Sequence, residues 1–190
     1  MFTLPSFRIM EIALLGDGFV GKTSLLRRFK GEKFDQKYRI TVGADFIVKK
    51  MQYGEQHVTL KIWDVGGQPE FARLRSQYYK NTSGILVVFD LMKRSTFDSI
   101  PVWLNEVLEN NNWRLVPIIL LGNKNDLTKE DPREVSDAEI AEYVEILRNW
   151  GHSMDTNFVL NYYETSAKSG DNVREAFDEL VLTALKTANN

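Results

Sequence analysis

Residues 16–24 read GDGFVGKTS, and Gly16, Gly21, Lys22 and Thr23 fit the spacing G-x-x-x-x-G-K-[ST]. Glycines let a backbone curl until successive N–H groups point into one concavity, a shape that suits a polyphosphate. A helix starting near Lys22 would add its positive end. In that cradle Lys22 supplies a point charge to β- and γ-phosphates, and Thr23 offers a hydroxyl to Mg²⁺. Asp17, Gly18, Phe19, Val20 and Ser24 complete the loop and are expected to line the nucleotide. The bland alternative is an ordinary strand-to-helix turn.

A second stretch, KIWDVGGQPEF at 61–71, ends a strand in an aspartate, two glycines and a glutamine. Val58, Leu60 and Ile62 alternate, so Asp64 falls at the strand's C-terminal end, where parallel sheets bind ligands. A carboxylate there can hold Mg²⁺ through a water. Gly67 has no side chain to keep its N–H from a γ-phosphate. Gln68 carries both a donor and an acceptor and can orient a water for in-line attack. Thr41, in YRITVGADF, is a further candidate Mg²⁺ ligand, although a loop threonine is more often a turn or cap residue.

The third signal is LLGNKNDL, which puts Asn123, Lys124 and Asp126 just after an apolar run. A carboxylate at Asp126 can accept two hydrogen bonds from the N1–H and N2 amino group of guanine. Adenine offers no such pair and would leave the carboxylate unpaired. In ETSAKSG, Ser166, Ala167 and Lys168 can close over the base from the other side. A polar turn is the alternative for NKND taken alone.

The elements that must position these residues follow from periodicity. FRIMEIALL, GILVVFDL, VPIILL and FVLNYYETSA are short apolar runs of strand type, and VGADFIVKKMQYGEQHVTLKIWD reads as two strands around a YGEQ turn. Helical patterns lie between them. KTSLLRRFKG turns Leu25, Leu26 and Phe29 inward and stops at Gly31. FDSIPVWLNEVLENN reads as one helix. VSDAEIAEYVEILRNWG carries Ile140, Val144 and Leu147 on one stripe, with Gly151 near its C-cap, and VREAFDELVLTALKTA closes the chain. Alternating strands and helices imply an α/β fold: six strands in a mostly parallel sheet with helices on both faces. With no repeat, linker or low-complexity segment, residues 1–190 are expected to form a single domain.

Composition narrows the function further. A net charge of −2 gives no clustered basic excess, and acids interrupt RRFKGEKFDQKYR, so nucleic acid is not an expected partner. The absence of cysteine removes disulfides, thiolate metal sites, thiol catalysis, and prenyl or palmitoyl attachment. Position 2 is Phe2 rather than a myristoylated glycine, no apolar run reaches membrane-span length, and no secretory signal is visible. The expectation is a cytoplasmic monomer with no intrinsic membrane anchor in the chain. His57 and His152 share no metal-ligand spacing.

With these motifs in order, the chain resembles the small GTPases of the Ras superfamily, most closely the Rab branch, over nearly its whole length. GADF after Thr41, IWD and QYYK are the Rab-like marks. The resemblance implies the P-loop NTPase (small G-protein) fold, GTP and GDP as ligands, Mg²⁺ as cofactor, and slow hydrolysis assisted by Gln68, Lys22 and Thr41. It implies that Phe34 stacks edge-on near the guanine and that Tyr38 covers the γ-phosphate. Phe46, Trp63 and Tyr78 match the aromatic triad through which Rab proteins meet effectors, and the switch regions imply exchange factors and GTPase-activating proteins. Without the resemblance, those aromatics read as half-buried strand residues. Three departures stand out. WDVGGQ is closer to the Arf branch than to the Rab WDTAGQ; the tail ends at KTANN with no lipidated cysteine; and LRNWGHSMDTNF adds residues before the last strand.

The leading reading is a GTP-hydrolysing switch acting through GTP-dependent effectors in membrane trafficking or signalling. A nucleotide-locked scaffold is the second, though such proteins usually lose the glutamine or the switch threonine. An ATP-using P-loop kinase is the third, and NKND and SAK argue against it. Pro69 replaces the glutamate usual in Rab proteins. It is expected to start a short helix with Phe71, Leu74 and Tyr78 on one face, or else it merely fills a tolerant loop position.

Overall fold

The computed structural model describes residues 6–35, 44–68 and 72–188. Six strands form one sheet: β1 (Ser6–Leu15), β2 (Ala44–Tyr53), β3 (Gln56–Val65), β4 (Thr82–Asp90), β5 (Ile118–Asn123) and β6 (Leu160–Thr165), in the order β2-β3-β1-β4-β5-β6. Only the β2–β3 hairpin is antiparallel among these pairings. The C-terminal ends of β1, β3, β4, β5 and β6 therefore share one edge, where a doubly wound sheet binds ligands.

Period-two alternation decides which side chains meet which helices. From β4, Leu86 and Val88 pack with α1 (Lys22–Lys30) and α6 (Val173–Thr187). Ile85, Val87 and Phe89 face the opposite way, toward α3 (Arg94–Asp98), α4 (Ile100–Asn110) and α5 (Asp137–Met154). Burial on both faces is why this strand reads as a continuous apolar run. A short helix, α2 (Ala72–Arg75), and a 3₁₀ turn at Ser76–Tyr78 lie between β3 and β4.

Two expectations are corrected. FDSIPVWLNEVLENN is two helices, α3 and α4, broken at Ser99. Pro101 explains the restart, because a missing N–H is tolerated only in a helix's first turn. Gly151 does not stop α5, which continues to Met154. It is buried because Phe158 lies against it: a Cβ there would come within 2.0 Å of the Phe158 ring. LRNWGHSMDTNF thus forms the last turns of α5 and the link to β6. The start of α5 is fixed by a capping box between Ser136 and Glu139. Pro69 and Phe71 lie outside the described residues.

Candidate functional site

At the shared strand edge, five separated segments enclose a cavity of about 460 Å³. That volume is within the range of small-molecule sites. Gly18, Gly21, Lys22, Thr23 and Ser24 form its floor, Gly67 and Gln68 one wall, Asn123, Lys124 and Asp126 the far end, and Ala167 and Lys168 a flap. Phe19 and Phe34 also line it and are exposed. Gly16 and Val20 lie beneath. Val20 is a core side chain, so it serves the loop through its backbone.

Gly21 caps α1 from the left-handed region at φ 100, and a Cβ there would fall 2.4 Å from the Asn123 amide nitrogen. Only glycine meets both conditions. Lys22 is buried and folds over the loop, its Nζ donating to the carbonyls of Gly16 at 2.7 Å and Asp17 at 2.8 Å. Burial drives its pKa down to about 8, against the pull of Asp64 and Asp17 and with the push of Arg75. A phosphate would add counter-charge to this ammonium beyond that of Asp64 and Asp17.

Thr23 Oγ1 donates to Asp64 Oδ2 at 2.5 Å. Asp64 is 2% exposed, and its Oδ1 is buried with no protein hydrogen bond among the described residues. Burial raises its pKa, partly offset by the Thr23 hydroxyl and by Lys22. A dry carboxylate with one unmatched oxygen beside a threonine hydroxyl fits Mg²⁺. That ion takes few protein oxygens and shares the rest of its shell with water and phosphate. No cluster of three His, Cys, Asp or Glu exists among the described residues, so an all-protein metal cage is not built there. The other expected metal ligand, Thr41, and the phosphate-covering Tyr38 lie outside the described residues.

Gly67 is pressed onto the loop. A Cβ on it would sit 2.5 Å from Gly16 O and 2.7 Å from Gly18 N. Gln68 lines the same corner, and its Oε1 is buried without a protein donor among the described residues.

At the far end, Asn123 is a stitch. Its Nδ2 donates to Val20 O at 2.8 Å, and its Oδ1 accepts from Ala167 N at 3.3 Å. It joins the phosphate loop to the flap. Asp126 accepts a 2.6 Å hydrogen bond from Ser166 Oγ, and Lys168 Nζ lies 3.7 Å from its other oxygen. Ser166 Oγ also accepts from the N–H groups of Lys168 and Ser169, so it shapes the flap from below. Lys124 adopts a left-handed φ of 71 and reaches Asp90 Oδ2 at 2.6 Å.

Sequence reasoning missed several supporting groups. Asp90 could have been found, since it ends a buried strand on the binding edge. Arg28, which donates to the carbonyls of Ala167 and Lys168, left no local signal. Asp17 was expected at the nucleotide, but its carboxylate turns away, accepting from Ser99 Oγ at 2.9 Å and Trp103 Nε1 at 2.7 Å. Beside the site, Phe46, Trp63 and Tyr78 form one cluster, with ring centroids 5.0 Å and 4.3 Å apart in succession. Phe46 remains exposed and the other two are half-buried.

The family model described as the Ras family matches residues 11–186. Among curated proteins, "Ras-related protein RABG3a" of Arabidopsis thaliana is 37% identical over 180 residues, covering 93% of this chain and 82% of its own. "Ras-related protein RABG1" of the same plant is 38% identical over 179 residues, covering 93% and 83%. "Ras-related protein Rab7" of Pisum sativum is 34% identical over 189 residues, covering 97% and 87%.

Proposed function

The chain belongs to the Ras family, in its Rab branch, and is a GTPase; on that premise we propose that it is a nucleotide-dependent switch whose site is the cavity described above and whose GTP-bound form recruits effectors in membrane trafficking. The observation that carries the site assignment is the pairing of Asp64, with one unmatched buried oxygen, and Thr23 at the mouth of the loop that holds Lys22.

In this reading the backbone of residues 16–24 and the Lys22 ammonium hold the β- and γ-phosphates. Thr23 and Thr41, with Asp64 through a water, would hold Mg²⁺, which when bound would neutralise charge on the phosphate oxygens. Gln68 accepts a hydrogen bond from the attacking water through its amide oxygen and so orients it. Asp126 reads guanine as a paired acceptor, Ser166 and Lys168 fix that carboxylate, and Phe34 flanks the base. Asn123, Lys124 and Ala167 keep the two sides in register. Residues 1–190 act as one G domain. Phe46, Trp63 and Tyr78 offer effectors an aromatic platform next to the switch segments. No helix among the described residues is long and apolar enough to cross a membrane.

The test of the base reader is Asp126→Asn. The amide cannot accept from both guanine donors, so the variant should lose GTP affinity and gain xanthosine triphosphate affinity, because the xanthine C2 oxygen accepts from an amide. Undiminished GTP binding by Asp126→Asn would remove Asp126 from the base site.

A further inference from the structure

Arg75, at the end of α2, is 3% exposed, and four groups surround its guanidinium. Nε and Nη2 form a fork on the Glu106 carboxylate at 2.8 Å and 2.7 Å. Nη1 donates to the backbone carbonyls of Gly66 at 3.0 Å and Gln68 at 2.6 Å. The guanidinium lies 4.7 Å from the Trp103 ring, and Tyr79 Oη donates to Glu106 Oε1 at 2.8 Å.

A buried ion pair adds little net stability, because desolvation offsets most of its attraction. What it can do is fix a conformation. Here the conformation concerned is that of residues 66–68, which leave β3 and lie outside both strand and helix. Their carbonyls are held by a group whose planar fork is itself held by α4. That helix and the Ser99 that caps it also grip the other side of the corner, since Trp103 and Ser99 donate to the Asp17 carboxylate. Gly67 is packed directly on the loop between these two anchors. One helix therefore sets the spacing between the phosphate loop and the Gln68 backbone.

We propose that Arg75 is a positioning residue for GTP hydrolysis: clamped by Glu106 and Trp103 of α4, it holds the Gly66 and Gln68 carbonyls and thereby places the Gln68 side chain over the phosphate corner. The proposal rests on the reading of Gln68 as the water-orienting group. Arg75 touches no reacting atom. Its effect is on the rate of the chemical step rather than on nucleotide affinity, because its bonds go to residues 66–68 and not to the base or the P-loop. Lysine would keep the charge but lose the fork, since one ammonium cannot span a carboxylate and two carbonyls in the guanidinium's geometry.

The experiment measures single-turnover GTP hydrolysis and GDP dissociation for the parent, Arg75→Lys, Glu106→Gln and Gln68→Leu. It adds Arg75→Ala with and without millimolar guanidinium or ammonium ions. Misplacing a reacting group by an ångström can cost about a hundredfold, so Arg75→Lys and Glu106→Gln should hydrolyse roughly 10- to 100-fold more slowly with GDP dissociation within about threefold of the parent. Guanidinium, but not ammonium, should restore part of the Arg75→Ala rate. If Arg75→Ala does not fold, Arg75→Lys against Glu106→Gln carries the test. Slow hydrolysis by Gln68→Leu with a parental rate for Arg75→Lys would overturn the inference alone. A parental rate for Gln68→Leu would overturn the Gln68 reading and the inference with it. Equal losses of hydrolysis and of nucleotide binding in Arg75→Lys would reduce Arg75 to a structural residue and also overturn it.

Discussion

Asn123→Ala isolates the stitch between the two halves of the site. The parent amide is 1% exposed and bonds Val20 O and Ala167 N, with Thr165 Oγ1 at a longer 3.4 Å. Alanine leaves the Val20 carbonyl and the Ala167 N–H buried without that partner. Each orphaned group costs about 1–3 kcal/mol, and two give roughly 2–4 kcal/mol once partial relaxation is allowed. The nucleotide needs the phosphate loop and the flap in register at the same time, so much of this cost should appear in binding as well as in folding. At about 1.4 kcal/mol per tenfold, affinity should fall roughly 30- to 1,000-fold. The assay is displacement of a fluorescent guanosine diphosphate, paired with xanthosine diphosphate and a thermal melt. Both nucleotides should weaken alike, which separates Asn123 from the base reader Asp126. Loss of guanine binding with xanthine binding intact would show that Asn123 reads the base. Unchanged affinity for both would mean that the stitch is redundant.

Burial depresses Lys22 to about 8 in the folded chain from 10.5. Between those values the unfolded chain holds a proton that the folded one does not, so nucleotide-free stability rises with pH across that window and the full penalty applies below it; relative to Lys22→Met, the parent should gain about 2 kcal/mol in urea unfolding from about pH 7.5 to about pH 10. A flat difference would mean that Lys22 is solvated. At Gly151, a Cβ 2.0 Å from the Phe158 ring cannot be housed without moving it. Overpacking costs about 1–3 kcal/mol and outweighs the helix-propensity gain of about 1. Gly151→Ala should melt a few degrees lower, and a higher melting temperature would place Phe158 elsewhere.

Much of this was legible because local pattern and global role coincide. Lys22 and Thr23 close a loop that follows an apolar strand directly, and Asp64 falls at the end of an alternating one, so spacing alone put them on the binding edge. Phe46, Trp63 and Tyr78 were legible only through family resemblance, since a half-buried strand aromatic and a partner platform look alike in a single sequence. Gly151 illustrates the opposite failure: a helix-stopping glycine and a glycine packed under an aromatic ring leave the same letter. Arg75 and Glu106 stand 31 positions apart and meet only when α4 packs beside the segment after β3, so no periodicity joins them. Asp17 sits inside the phosphate-loop motif, yet its carboxylate faces α4, because a motif fixes backbone geometry more tightly than it fixes side-chain direction.

The central claim is that this site switches with nucleotide state, and hydrogen exchange tests it most directly. Protein loaded with GDP is compared with protein loaded with a non-hydrolysable GTP analogue. Segments ordered by γ-phosphate and Mg²⁺ contacts should exchange more slowly in the analogue-bound form. The account predicts that the difference concentrates around Thr41 and in residues 66–79, with the core of β1, β4 and β5 unchanged. Equal protection of those two segments in both states would contradict the switch and leave a nucleotide-bound scaffold.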